Sequence, residues 1–170
     1  MLDFLFRRLT AEQSPGEALF SAATQEARRP SWYRDAGVPD TLDGRFAMLS
    51  TIVALILVRL ERDGEQGDLV SVALTERFIE VMESEHRELG LGDPTLGKTV
   101  RKLVGSLSSR TDLWRRCAGG ACDWRDAVRQ SVYKDAPAEE AQGHADAALK
   151  EFWLKLERTD LATLDEGKIG

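Results

Sequence analysis

Phe46-Ala-Met-Leu-Ser-Thr-Ile-Val-Ala-Leu-Ile-Leu-Val58 is the stretch that decides the fold. These thirteen residues carry no charge and sit between Arg45 and Arg59. As a helix they cover about 20 Å, against the about 30 Å of a bilayer's hydrocarbon. A helix apolar on every side yet too short to span a membrane is expected at the centre of a soluble bundle. Asp40 or Thr41 is placed to cap it, just after the connector Gly37-Val38-Pro39.

The flanking sequence is helical as well. Ser14-Pro15-Gly16-Glu17 reads as a helix start, and Ala18, Leu19, Ala22, Ala23 and Ala27 supply its buried side before Pro30 closes it. Beyond the central helix, Arg62 to Gly67 reads as a polar loop. Leu74, Phe78, Val81, Met82 and Leu89 then keep near-helical spacing. Asp93-Pro94 opens a helix whose stripe is Leu96, Val100, Leu103, Val104, Leu107 and Trp114. Two further helices follow, one from about Asp123 to Lys134 and one after Pro137.

No segment sustains the two-residue alternation of a half-buried strand. The expectation is an all-α, single-domain, irregular bundle of six or seven helices around the central apolar helix. Short connections make most neighbours antiparallel. Residues 1–13 form a short amphipathic N-terminal segment, 14–158 the helical domain and 159–170 a flexible tail. In the first of these, Leu2, Leu5, Phe6 and Leu9 can share one helical face, with Asp3, Arg7 and Arg8 turned away. Such a segment can dock on the core, or residues 1–9 can make a peripheral membrane contact.

Composition narrows the function. The chain is 42% hydrophobic and 31% charged, too apolar for a disordered protein. Its net charge of −6 argues against general nucleic-acid binding, so DNA is not an expected partner. Met1 to Leu9 is too short for a signal-peptide core and lacks a small-residue cleavage site. A cytoplasmic, reducing compartment is therefore expected, and with it no structural disulfide.

Catalytic and metal signatures are missing. Cys117 and Cys122 form a C-x4-C spacing without a second pair, which is not a zinc pattern. His86 and His144 lie on polar stretches. No G-x-S-x-G elbow occurs, and Gly90-Leu91-Gly92 follows a helix, as a helix stop does. The expectation is a non-enzymatic protein with no catalytic, cofactor-binding or metal-binding residue.

One charge asymmetry stands out. Lys98, Arg101, Lys102, Arg110, Arg115 and Arg116 oppose a single acid, Asp112, whereas residues 76–93 hold six acids and two bases. Two consecutive helices of opposite charge can lie together and pair. Alternatively the basic one can meet an anionic partner, with Lys98, Arg101 and Lys102 as its contact residues.

The run from Arg29 to Leu49, RPSWYRDAGVPDTLDGRFAML, resembles the signature of the ubiquinol–cytochrome c chaperone family. The likeness continues in Leu89-Gly-Leu-Gly-Asp93, in Leu96-Gly-Lys-Thr-Val-Arg-Lys-Leu103, and more weakly in Ala127 to Tyr133 followed by Pro137. The turn from Cys117 to Cys122 departs from the pattern. The resemblance implies a chaperone that binds newly made cytochrome b and promotes assembly of the cytochrome bc1 complex. It also implies a bacterial-type member at the cytoplasmic membrane face. A second assembly factor and the ribosome are further candidate partners.

Read physically, the same signature has two roles open to it. Trp32, Tyr33, Val38, Asp43, Arg45 and Phe46 can line a groove for a client helix. Alternatively the capping acids, with Arg45 pairing to one of them, orient the central helix while the aromatics anchor the connector. Two rival functions remain: a haem-handling protein for cytochrome b maturation, or an enzyme or binding protein for a small apolar ligand such as a quinone.

Overall fold

Among the residues described by the computed structural model, 16–90 and 92–170, all regular structure is helical. Six helices have nine or more residues: α1 (Glu17–Ala27), α3 (Leu42–Leu60), α4 (Gly64–Glu88), α5 (Asp93–Ala118), α6 (Trp124–Val132) and α7 (Glu139–Arg158). Two short helices, α2 (Pro30–Arg34) and α8 (Leu161–Asp165), complete the described set. The expected amphipathic segment, 1–13, lies outside the described residues.

The uncharged stretch is the interior of α3, and its burial follows from its composition. Met48, Ile52, Val53, Ala54 and Ile56 are fully buried, and α3 packs on α1, α4, α5, α6 and α7, most extensively on α5. Thr41 starts the helix by accepting a hydrogen bond from the Gly44 N–H at 3.2 Å.

Two hydroxyl side chains of α3, Ser50 and Thr51, are fully buried, and neither is left without a partner. Ser50 donates to the Phe46 carbonyl at 2.7 Å. Thr51 belongs to a relay: the Trp114 indole N–H donates to Ser131 Oγ at 3.1 Å, Ser131 to Thr51 Oγ1 at 2.6 Å, and Thr51 to the Ala47 carbonyl at 2.7 Å. Each hydroxyl of the relay then has both a donor and an acceptor role filled, which offsets the desolvation cost of burying it. The relay fixes α5 and α6 against α3.

At the far end of α3, buried Arg59 binds the end of α7. It donates to the carbonyls of Leu156 at 2.9 Å and Thr159 at 2.7 Å, and its charge is met by Asp63. The Leu156 carbonyl also accepts the Thr159 N–H at 3.2 Å, so the guanidinium adds a second donor at the end of α7, where carbonyls run short of intrahelical partners.

Three local expectations differ from what forms. The polar run from Arg62 to Gly67 is no loop: a single 3-10 turn, Glu61–Asp63, reverses the chain and α4 begins at Gly64. Its first turns have solvent-facing Glu65, Gln66 and Asp68, which is why they read as loop. The tail expected to be flexible carries α8, capped by Asp160 and pinned by fully buried Leu164. Cys117 and Cys122, with Cα atoms 4.7 Å apart, are joined as a disulfide, against the expectation from compartment. The turn between α5 and α6 brings them within bridging distance.

Candidate functional site

The connector between α2 and α3 is shaped by backbone contact. A Cβ on Gly44 would sit 1.9 Å from the Pro39 carbonyl oxygen, so only glycine lets the connector fold over the start of α3. Asp40, at the end of the connector, pairs with Arg45 at 2.7 Å. That hydrogen bond holds the Asp40 carboxyl below its ordinary range. The other candidate acid, Asp43, is exposed in the first turn of α3, where the helix dipole favours it.

Trp32 and Val38 serve this architecture. Trp32 is 1% exposed, and its indole N–H donates to the Glu26 carbonyl at 2.9 Å, fastening α2 to the end of α1. Val38 is 2% exposed, and its N–H donates to the Trp32 carbonyl. Neither lines an open surface.

The other four signature residues do. Tyr33, Asp43, Arg45 and Phe46 line a groove of about 1540 Å³. Its walls are α1 and α4, its base is the start of α3, and Leu103 of α5 closes one side. The apolar floor includes Phe20, Phe46, Leu49, Val81, Met82 and Leu103. Leu42 and Leu89 stand at its lips with 59% and 63% of their surface uncovered. Isolated exposed leucines are ordinary, but a pair bordering an apolar groove is the kind of patch that marks a binding surface.

The aromatics of the groove are held from behind. Phe46 lies 6.2 Å from Phe78, and the Arg110 guanidinium sits 6.0 Å from its ring centre. Tyr33 donates to the Ala27 carbonyl at 2.8 Å. Burial raises its phenol above the ordinary value, with Arg45 opposing that rise. His86 also faces the groove, with Nδ1 2.7 Å from the Met82 carbonyl. The Nδ1 proton therefore donates to that carbonyl, and Nε2 is the nitrogen left to other partners. His144 is exposed and is not among the groove residues. Among the described residues no group of three or more His, Cys, Asp or Glu side chains could hold a metal ion.

Lys98, Arg101 and Lys102 are separate from the groove lining. All three are exposed on the first half of α5 and make no ion pair with any described residue. The pairing of α4 acids with α5 bases, one of the two outcomes the charge pattern allowed, does not form between these residues. Instead Arg115 pairs with Glu61 and Asp112, and Arg110 is drawn inward to the Ser131 carbonyl.

The groove's other wall is not marked as a site by the sequence. Val81 and Met82 were legible only as parts of an apolar stripe, and Phe20 was not singled out at all. A signal was present in the width of the α4 stripe. Phe78 and Met82 suffice to reach the core, so Val81 and Leu89 extend the stripe beyond what core burial requires.

Comparison with known proteins gives a consistent result. The family model described as Ubiquinol-cytochrome C chaperone matches residues 34–169. The crystal structure of the Cbp3 homolog from Brucella abortus is similar, with a TM-score of 0.74 and 25% sequence identity. That likeness covers 100% of this chain and 96% of the other. No curated protein matches.

Proposed function

The chain belongs to the ubiquinol-cytochrome C chaperone family, and from that premise we propose that it holds an apolar helix of unassembled cytochrome b in the groove between α1 and α4. The observation that carries this is the groove itself, apolar on its floor, rimmed by charge and lipped by Leu42 and Leu89. A helix about 10 Å across, rising ~1.5 Å per residue, occupies ~120 Å³ per residue. A volume of about 1540 Å³ thus corresponds to roughly a dozen residues, much of one transmembrane segment. Helix-in-groove recognition needs an apolar trough and little else, which suits a client whose segments are uniformly apolar.

Lys98, Arg101 and Lys102 supply an anionic contact beside this groove, and the inner face of the cytoplasmic membrane is the site of action. No helix among the described residues is long and apolar enough to cross a membrane. Attachment there is accordingly peripheral, through the basic stretch of α5 and residues 1–9. The role is one of binding and release, without catalysis.

Gene deletion tests the function. Assembled bc1 complex should fall while cytochrome b message is unchanged; normal bc1 levels would overturn the proposal. Charge reversal of Lys98, Arg101 and Lys102 should reduce recovery of the protein with native membranes, and unchanged recovery would remove the anionic contact. A haem-handling role draws on one observation, the free Nε2 of His86 in the groove. Haem titration discriminates: a shifted absorption band abolished by His86→Ala favours haem, and its absence removes that reading.

A further inference from the structure

The α4 wall of the groove changes character along its length. At Arg77 it is tied to α1 by an ion pair with Glu17 at 4.0 Å. Val81 and Met82 then carry the apolar floor, and in the last turn of α4 Glu85 and Glu88 line the groove beside Leu89. From Arg77 to Leu89 this wall runs about 18 Å at ~1.5 Å per residue. The two acids therefore sit at the end of the trough away from the Glu17–Arg77 pair.

Most other charges around the groove cancel in place. Arg34 pairs with Asp35 at 3.0 Å and Arg45 with Asp40 at 2.7 Å. Arg77 is held by Glu80 as well, at 3.2 Å. Asp43, Glu85, Glu88 and Arg28 line the groove without an ion pair to any described residue. Three carboxylates thus stand against one guanidinium, and the uncompensated charge of these groups is negative.

The placement of Glu85 and Glu88 does nothing for the fold. A carboxylate in the last turn of a helix meets the negative end of the helix dipole and is disfavoured there. The two acids are three residues apart, so they are neighbours on the helix surface and repel each other. No base of α4 lies three or four residues from either of them, and Arg87, between them in sequence, is outside the groove lining. A cation brought from outside relieves both costs, and the apolar floor beside the acids strengthens its attraction.

We infer that the groove takes an apolar helix together with a basic flank, the helix on the floor and one or two Lys or Arg side chains of the flank against Glu85 and Glu88. This rests on the groove being the client site and names the kind of segment that site selects. Membrane-spanning helices carry such a flank on their cytoplasmic side, where Lys and Arg are in excess. The acidic end of α4 reads that flank and fixes the direction in which the client lies, whereas the floor alone would accept any apolar helix.

The test measures binding of the full chain to labelled apolar helical peptides by fluorescence anisotropy. The peptides share one core and end in Lys-Lys, Gln-Gln or Glu-Glu. The Lys-flanked peptide should bind about fivefold tighter than the Gln-flanked one, and the Glu-flanked peptide more weakly than either. Added salt should narrow these differences. Glu85→Gln with Glu88→Gln should abolish the Lys advantage, leave the Gln-flanked peptide within about twofold, and melt no lower than the parent chain. Glu65→Gln with Asp68→Asn, exposed acids outside the groove lining, should keep the advantage. Equal binding of the Lys- and Gln-flanked peptides overturns the inference and leaves the client groove standing. So does an advantage that survives loss of Glu85 and Glu88, or one lost equally with Glu65 and Asp68. Binding of none of the peptides overturns the client groove and the inference with it.

Discussion

Truncating the two lip leucines should weaken client binding without weakening the fold. Fully burying a leucine side chain is worth about 1.5–3 kcal/mol. Leu42 and Leu89 have 59% and 63% of their surface still uncovered. A client helix laid between them can therefore bury what remains, ~1–2 kcal/mol at each site. Alanine keeps the Cβ, so Leu42→Ala and Leu89→Ala should each cost about 1 kcal/mol, or ~5-fold in Kd. Together they should cost about 2 kcal/mol, close to 30-fold. Fluorescence anisotropy with a labelled apolar helical peptide reads the loss directly. Leu69→Ala supplies the control, because Leu69 is 62% exposed but does not line the groove. All three variants should unfold within about 0.5 kcal/mol of the parent chain, as exposed substitutions do. Equal loss from Leu69→Ala, or less than about twofold loss from the double lip variant, would refute the assignment of the groove.

Three further outcomes test the framework that positions it. Gly44→Ala places a methyl group against the Pro39 carbonyl, so the connector must move; urea denaturation should show a loss of about 1–3 kcal/mol. Arg59→Ala leaves Asp63 without its buried cation and strips the guanidinium donors from the Leu156 and Thr159 carbonyls, and should cost about 3 kcal/mol; Arg59→Lys should recover only part, since an ammonium cannot reproduce the guanidinium fork. Both tyrosines have raised phenol pKa values, Tyr133 pushed up to about 12 by burial and the nearby Asp146 charge. A phenol raised on folding contributes stability that is complete below the unfolded value, about 10, and is lost as pH climbs through the folded value. Tyrosinate absorbance should therefore lag behind free tyrosine in alkaline titration, and a phenol ionising at pH 10 in the folded chain would contradict the burial.

The helices were legible where burial and capping act locally. The uncharged run from Phe46 to Val58 identified its own helix because nothing in it can face water. Thr41 and Asp123 announced helix starts through side chains that accept N–H bonds three residues on. The partner of Arg45, one of two neighbouring acids in the sequence, is Asp40 in the fold. What stayed hidden depends on distant contacts. Trp32 and Phe46 are both aromatic residues of one motif, yet one is sealed under α1 and the other faces the groove; only the crossing of α1, α3 and α4 separates them. Leu164 looked like part of a loose end because its burial comes from packing that its immediate neighbours do not reveal. The fate of the α5 bases also turned on geometry: Arg115 reaches Glu61, 54 residues away, while Lys98, Arg101 and Lys102 face outward.

The most direct measurement places a photoreactive amino acid at Leu42 on the groove lip, and in a separate variant at Leu154, which is 39% exposed and does not line the groove. Both variants are irradiated in cells making the bc1 complex. Cytochrome b should be recovered crosslinked through Leu42 and not through Leu154. Recovery through Leu154 alone, or through neither position while the complex still assembles, would contradict a client groove between α1 and α4.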